Sequence, residues 1–119
     1  MGNRRAAYEV GLAAEAAVAR FLQGSGWEVL ERRWTGGGAE VDLIVLREGA
    51  VRFVEVKYRA DNDPVGLESI DARKIARLER AAELWLAQHD AGVSQACLAV
   101  AFVGRSDDGW EIEFLDDPT

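Results

Sequence analysis

Asp42, Glu55 and Lys57 combine charge, spacing and an apolar setting that together suit metal-ion chemistry. Asp42 lies in Val41-Asp42-Leu43-Ile44, while Glu55 and Lys57 alternate with apolar residues in Phe53-Val54-Glu55-Val56-Lys57. Both stretches read as strands apolar on two faces, the pattern of a sheet centre covered by helices. Glu48-Gly49 between them reads as a two-residue hairpin turn. Such a turn pairs Arg47 with Ala50, Leu46 with Val51, Ile44 with Phe53, Asp42 with Glu55 and Glu40 with Lys57. Side chains two apart share a face, so Asp42, Glu55 and Lys57 point one way with Glu40 beside them. The two carboxylates then sit about 4.5–5.5 Å apart at Cβ.

Like charges facing each other on a sheet destabilise it, and burial sharpens the repulsion. Either one carboxyl keeps its proton or a cation joins the pair. Mg2+ or Mn2+ suits the second case, because these hard ions take oxygen ligands and two carboxylates plus waters supply them. Lys57 on the same face balances charge without metal, or holds and activates a water with it. A structural Asp42–Lys57–Glu55 ion cluster is the competing account, and spacing alone does not choose between them. On the metal account, Asp42→Asn and Glu55→Gln should each abolish Mg2+ binding and stabilise the metal-free protein. Glu15 adds a further carboxylate. It falls three residues after Leu12 and four before Ala19, on the apolar stripe of a helix, and so faces the sheet or, from the edge of the stripe, reaches solvent. Lys74, four before Leu78 in a second helix, faces either the same site or solvent.

The elements that must hold these groups follow from periodicity and punctuation. Residues 5–23 read as an alanine-rich helix with Leu12, Ala16, Ala19 and Leu22 on one stripe, ended by Gly24-Ser25-Gly26. A strand over 27–34 leads to Thr35-Gly36-Gly37-Gly38, read as a mobile loop beside the site. Strands at 40–47 and 50–58 follow, then a loop over 59–68 containing Asp61-Asn62-Asp63-Pro64. A helix over about 69–89 places Ile75, Leu78, Ala82 and Trp85 on a stripe. A strand at 95–103 and a last one at 110–115 complete an α/β protein of order αβββαβ plus one strand. A central mixed sheet flanked by helices is expected.

With 119 residues, one domain spanning 1–119 is expected, with an acidic strand and tail from about 105. The 49% hydrophobic and 29% charged content argues against disorder. The single cysteine, Cys97, excludes an internal disulfide and reads as a buried, inert thiol. The single histidine, His89, leaves no basis for a zinc site or a histidine-based triad. Gly36-Gly37-Gly38 lacks the Lys-Ser/Thr of a phosphate-binding loop. No long apolar run and no leader pattern is present, so a cytoplasmic protein without membrane contact is expected. The net charge of −7 weighs against a nucleic-acid partner, but Asp107, Asp108, Glu111, Glu113, Asp116 and Asp117 carry most of that surplus. Arginines and lysines cluster elsewhere, around Arg32-Arg33, Lys57 with Arg59, and Arg73-Lys74. Local positive surface is compatible with an acidic whole, since screening acts over about 8 Å at physiological salt.

The segments Ala39-Glu40-Val41-Asp42-Leu43-Ile44 and Phe53-Val54-Glu55-Val56-Lys57-Tyr58-Arg59 resemble the YraN family of small bacterial proteins. The likeness covers about residues 8–103, including Gly11 to Glu15, Val65-Gly66, and Lys74 with Ala81-Ala82. It departs from the family pattern at Ala14, Arg33 and Ala39, none of them a candidate ligand. The resemblance implies a restriction-endonuclease-like fold of the PD-(D/E)xK superfamily, alongside Holliday junction resolvases. It further implies metal ligation by Asp42, Glu55 and the Val56 carbonyl, with Glu15 joining the site and Lys57 serving the attacking water. Phosphodiester hydrolysis with Mg2+ or Mn2+ is then the expected activity, on DNA recognised by structure, branched DNA included. Arg33, Arg59 and Lys74 are the candidate phosphate contacts. By analogy with resolvases, a homodimer is expected. The alternative is a non-catalytic nucleic-acid- or protein-binding module, for which four tryptophans (Trp27, Trp34, Trp85, Trp110) offer anchors if exposed.

Overall fold

A computed structural model describes residues 3–59, 71–89 and 91–116, with main chain alone for 3 and 4. The loop Asp61-Asn62-Asp63-Pro64, Val65-Gly66 and the expected start of the second helix at 69 lie outside the described residues. Helix α1 spans Asn3–Gly24 and is followed by strands β1 (Glu28–Gly36), β2 (Ala39–Arg47) and β3 (Ala50–Tyr58). Helix α2 (Ala72–His89) leads to β4 (Gln95–Ser106) and β5 (Gly109–Asp116). The five strands form one sheet in chain order. β3 and β4 run parallel, joined through α2, and the other neighbours are antiparallel. The described residues thus form a mixed α/β structure with a five-stranded mixed sheet and two helices. Among the described residues, no helix is long and apolar enough to cross a membrane.

The two helices pack on opposite faces. Ala14, Val18, Ala19 and Leu22 of α1 meet Leu43, Val45, Val54 and Ala101, while Leu78, Ala81, Ala82 and Trp85 of α2 meet Val41, Ile44, Val51 and Phe53. β2 and β3 are therefore apolar on both sides, as their sequence implied. The stripe expected on α1 holds at Ala19 and Leu22 but shifts before them: Leu12 is exposed, and Ala14, Ala17 and Val18 are buried. An alanine-rich helix has little contrast between faces, so its periodicity points weakly. On α2, Ile75 is exposed because the helix lies over β1 and β2. Ile75 thereby borders an open trough of about 650 Å³ that also touches Leu98 and Leu115. Trp27 and Trp85 are core, and Trp34 and Trp110 pack against it half-buried.

The two hairpin turns that flank β2 have the left-handed backbone that matches strand twist. Glu48 and Gly49 have φ of 51° and 82°, and Gly37 and Gly38 have φ of 60° and 80°. The glycine segment expected as a mobile loop is thus a tight turn, closed by the pairing of Gly36 with Ala39.

Arg52, on the α1 side of β3, is a buried charge that the sequence did not single out. It pairs with Asp116 at the end of β5, donates to Gln95 Oε1 at 3.1 Å and to the Val51 carbonyl, and lies over the Trp27 ring. Cys97 is half-buried beside the same Asp116 carboxylate, at 3.9 Å, not sealed in the core as expected. Removing one partner of a buried pair leaves an uncompensated charge. Asp116→Ala is expected to cost about 2–4 kcal/mol in urea unfolding. A change below 0.5 kcal/mol, the usual effect of a surface substitution, would show the pair to be incidental.

Candidate functional site

The β2–β3 ladder has the expected register, Arg47 with Ala50 through Leu43 with Val54, and stops there. The pairings of Asp42 with Glu55 and Glu40 with Lys57 do not form as ladder rungs. The strands part at Asp42, whose Oδ2 accepts the Val56 N–H at 2.8 Å in place of a main-chain partner. The alternation of β2 breaks at the same point: Val41 and Ile44, three apart, both join the cluster under α2. Val41 and Ile44 are anchored by apolar burial, and the two residues between them absorb the change of phase.

Into this fork open Asp42, Glu55 and Glu40, in a cleft of about 330 Å³ also lined by Gly38, Ala39, Lys74, Arg77 and Leu78. The Gly37-Gly38 turn thus forms one wall and the first turns of α2 another. Glu55 is buried at 5% exposure, and its Oε1 is 2.5 Å from the Lys74 ammonium. Asp71 fixes the start of α2, its Oδ1 accepting the Lys74 N–H at 2.9 Å as an N-cap.

Burial pushes the Asp42 carboxyl up to about 7, with the Glu55 charge adding to the shift and the Val56 N–H opposing it. The charges of Glu15 and Glu40 raise it further. Glu15, half-buried on α1, is also raised, first by burial and then by Glu40 and Glu55, against the pull of Arg33. Four carboxylates from α1, β2 and β3 therefore feel one another here. Arg33 answers two of them, with its Nε 3.9 Å from Glu15 and 3.8 Å from Glu40. Its own backbone is left-handed, φ 54°, and its guanidinium donates to the Tyr8 hydroxyl at 3.2 Å.

The expected residues are thus partly gathered and partly dispersed. Asp42, Glu55 and Glu15 come together, with Glu40 and Arg33 at the rim. Lys57 lies two residues beyond Glu55 on β3, in register with Phe102 of β4, half-buried and with no hydrogen bond or ion pair among the described residues. The cation on Glu55 is Lys74, which periodicity had left open between site and solvent. Arg59, expected on phosphate, is committed to Glu113 at 3.3 Å and stacks over Phe102. At Val56 the N–H donates to Asp42, and the carbonyl expected as a ligand takes no part in that bond.

A divalent ion fits this donor set in one form. Among the described residues, no three acidic, histidine or cysteine side chains converge closely enough for a ready cage. Mg2+ needs no such cage, because it retains several waters and accepts one or two carboxylates. Asp42 and Glu55 each present one oxygen without a hydrogen bond from the described residues. A cation would also offset the burial and the neighbouring charges that raise the Asp42 carboxyl.

The chain matches the model of the "Uncharacterised protein family UPF0102" over residues 14–107. A UPF0102 protein of Methylorubrum extorquens (strain PA1) is 48% identical over 87 residues, 73% of this chain and 67% of that relative. One from Synechococcus sp. (strain JA-3-3Ab) is 37% identical over 99 residues, 82% and 76% of the two chains. One from Pseudomonas putida (strain W619) is 40% identical over 108 residues, 88% of each. The matched region runs from α1 into the turn after β4, with Glu15, Asp42, Glu55, Lys57 and Lys74 inside it, and the chain belongs to the UPF0102 family.

Proposed function

We propose that this protein is a metal-dependent nuclease on a restriction-endonuclease-like scaffold of the PD-(D/E)xK kind, hydrolysing phosphodiester bonds in DNA recognised by its structure. The observation that carries this is the pair Asp42 and Glu55: acids from two parted central strands opening into one cleft, with Asp42 pushed up to about 7. A bound Mg2+ or Mn2+ supplies Lewis-acid polarisation of the phosphate and acidification of water. Asp42 and Glu55 would hold the ion, and the Val56 N–H fixes the orientation of Asp42. Glu15 stands near enough to feel Glu55 and to accept a proton or hold a water. Lys57, carried on the same strand as Glu55, steadies the attacking water and charge in the transition state. Arg77 at the cleft wall offers a further phosphate contact, in addition to Arg33 and Lys74.

The test is a Mn2+-dependent cleavage assay on linear, flap and four-way DNA. Cleavage of at least one substrate, abolished by EDTA, supports the proposal, and none with any of them refutes it. Lys57→Ala is expected to keep the fold and lose cleavage about a hundredfold or more. Unchanged turnover would remove Lys57 from the mechanism.

The internal neutralisation favours a second reading. Lys74 on Glu55 and Arg33 on Glu15 and Glu40 make an ion network that stands without metal. On that reading the protein is a non-catalytic binding module. Calorimetry separates the two, since a module whose acids are purely structural takes up no Mn2+ in this cleft.

A further inference from the structure

We infer that Lys74 is a resident counter-ion of the cleft, holding Glu55 in the metal-free protein and releasing it when a divalent ion binds. This rests on the metal-centre reading above and names what the same site does on loading. The positions of the two charges suggest it. The Glu55 side chain is 7% exposed and the Lys74 side chain 32%, so the carboxylate lies deep and the ammonium lies at the mouth. One contact of 2.5 Å joins them at Oε1. A divalent ion on this carboxylate and an ammonium at that distance repel strongly in a half-buried cleft. Oε2 of Glu55 stays open to the ion, but the repulsion loosens the lysine's hold on Oε1, and the lysine has somewhere to go.

Its freedom is confined to the side chain. The Lys74 N–H is held by Asp71 Oδ1 at 2.9 Å, and the Ile75 N–H by the Asp71 carbonyl at 3.1 Å. The helix start is therefore anchored while a flexible four-carbon stem carries a strongly hydrated charge into water. Arg77 lies three residues on, on the same wall of the cleft. The released ammonium beside Arg77 makes a positive pair facing the loaded site. An anionic phosphate then meets this pair only after the ion has bound.

Lys57 and Lys74 are the only lysines, so amine labelling reads this directly. The full chain is acylated briefly with and without saturating Mn2+, and each lysine is quantified by mass spectrometry against the N-terminal amine. Calorimetry on the same samples records Mn2+ uptake. Lys74 labelling should rise about fivefold or more on Mn2+ binding, a coupling of ordinary size. In Glu55→Gln it should be high at the outset and unresponsive. Lys74→Met should bind Mn2+ about tenfold more tightly than the parent. Its thermal stability should fall without metal and recover with it, whereas a merely structural ion pair would leave the deficit in both conditions. Mn2+ uptake with Lys74 labelling unchanged or lowered overturns the counter-ion role and leaves the metal centre standing. No Mn2+ uptake by the parent chain overturns both. If Lys74→Met does not fold without metal, the labelling of the parent chain decides.

Discussion

Asp42→Asn is expected to lower Mn2+-dependent DNA cleavage by at least about a hundredfold while leaving the fold intact. The substitution removes a charge and almost no volume. Its amide oxygen still accepts the Val56 N–H, so the fork between β2 and β3 keeps the bond that orients residue 42. What disappears is the anion that would hold a divalent ion against Glu55. Calorimetry should show Mn2+ uptake lost in parallel with cleavage. Cleavage retained at parental rates by a folded Asp42→Asn protein would place the chemistry elsewhere.

The second large effect is on stability against pH. Asp42 ionises at about 7 in the folded, metal-free protein and at about 3.9 when unfolded. A raised folded pKa means that the folded state holds this proton more tightly. The stability it contributes is fully present below about pH 3.9 and is lost as pH rises through about 7. The loss is at most about 4 kcal/mol. In EDTA, Asp42→Asn should therefore gain on the parent between pH 5 and pH 8, because it has no proton to lose. Urea unfolding at the two values checks this. An unchanged difference between the two proteins would show that Asp42 does not titrate there. At pH 8, added Mn2+ should restore the parent chain by mass action and leave Asp42→Asn unmoved.

The Lys74–Glu55 contact changes the outcome expected for Glu55→Gln. Strand register alone treats the two acids alike, as a repelling pair in which either neutralisation brings relief. In the structure Glu55 already has a cation, and its replacement strands Lys74 at the mouth of the cleft. The metal-free Glu55→Gln protein should accordingly gain nothing, and Asp42→Asn alone should be stabilised.

Arg52 and Arg59 show why charge clusters in a sequence are poor guides to surface. Arg59 sits beside Lys57 in the chain, yet it folds onto Phe102 and Glu113. Arg52 lies in an apolar strand four residues after Glu48 and three before Glu55, yet its partner Asp116 comes from the far end of the chain. Long side chains choose partners that the packing brings, and sequence spacing says little about packing across a sheet.

The order of elements, the Glu48-Gly49 turn and the register from Arg47–Ala50 to Leu43–Val54 were legible because each rests on local rules. Turn chemistry fixes the loop, and a period of two fixes which residues meet. The convergence of Asp42 and Glu55 followed from that arithmetic, even though the rung itself does not form. Only the tertiary structure decided that the strands part at Asp42, that Glu15 and Arg33 approach from one side, and that Lys74 enters from the other. Those outcomes depend on how two helices seat on opposite faces of a sheet. An alanine-rich helix such as α1 carries too weak a stripe to announce its rotation, and a lysine in the first turn of α2 can reach inward or outward until the helix is docked.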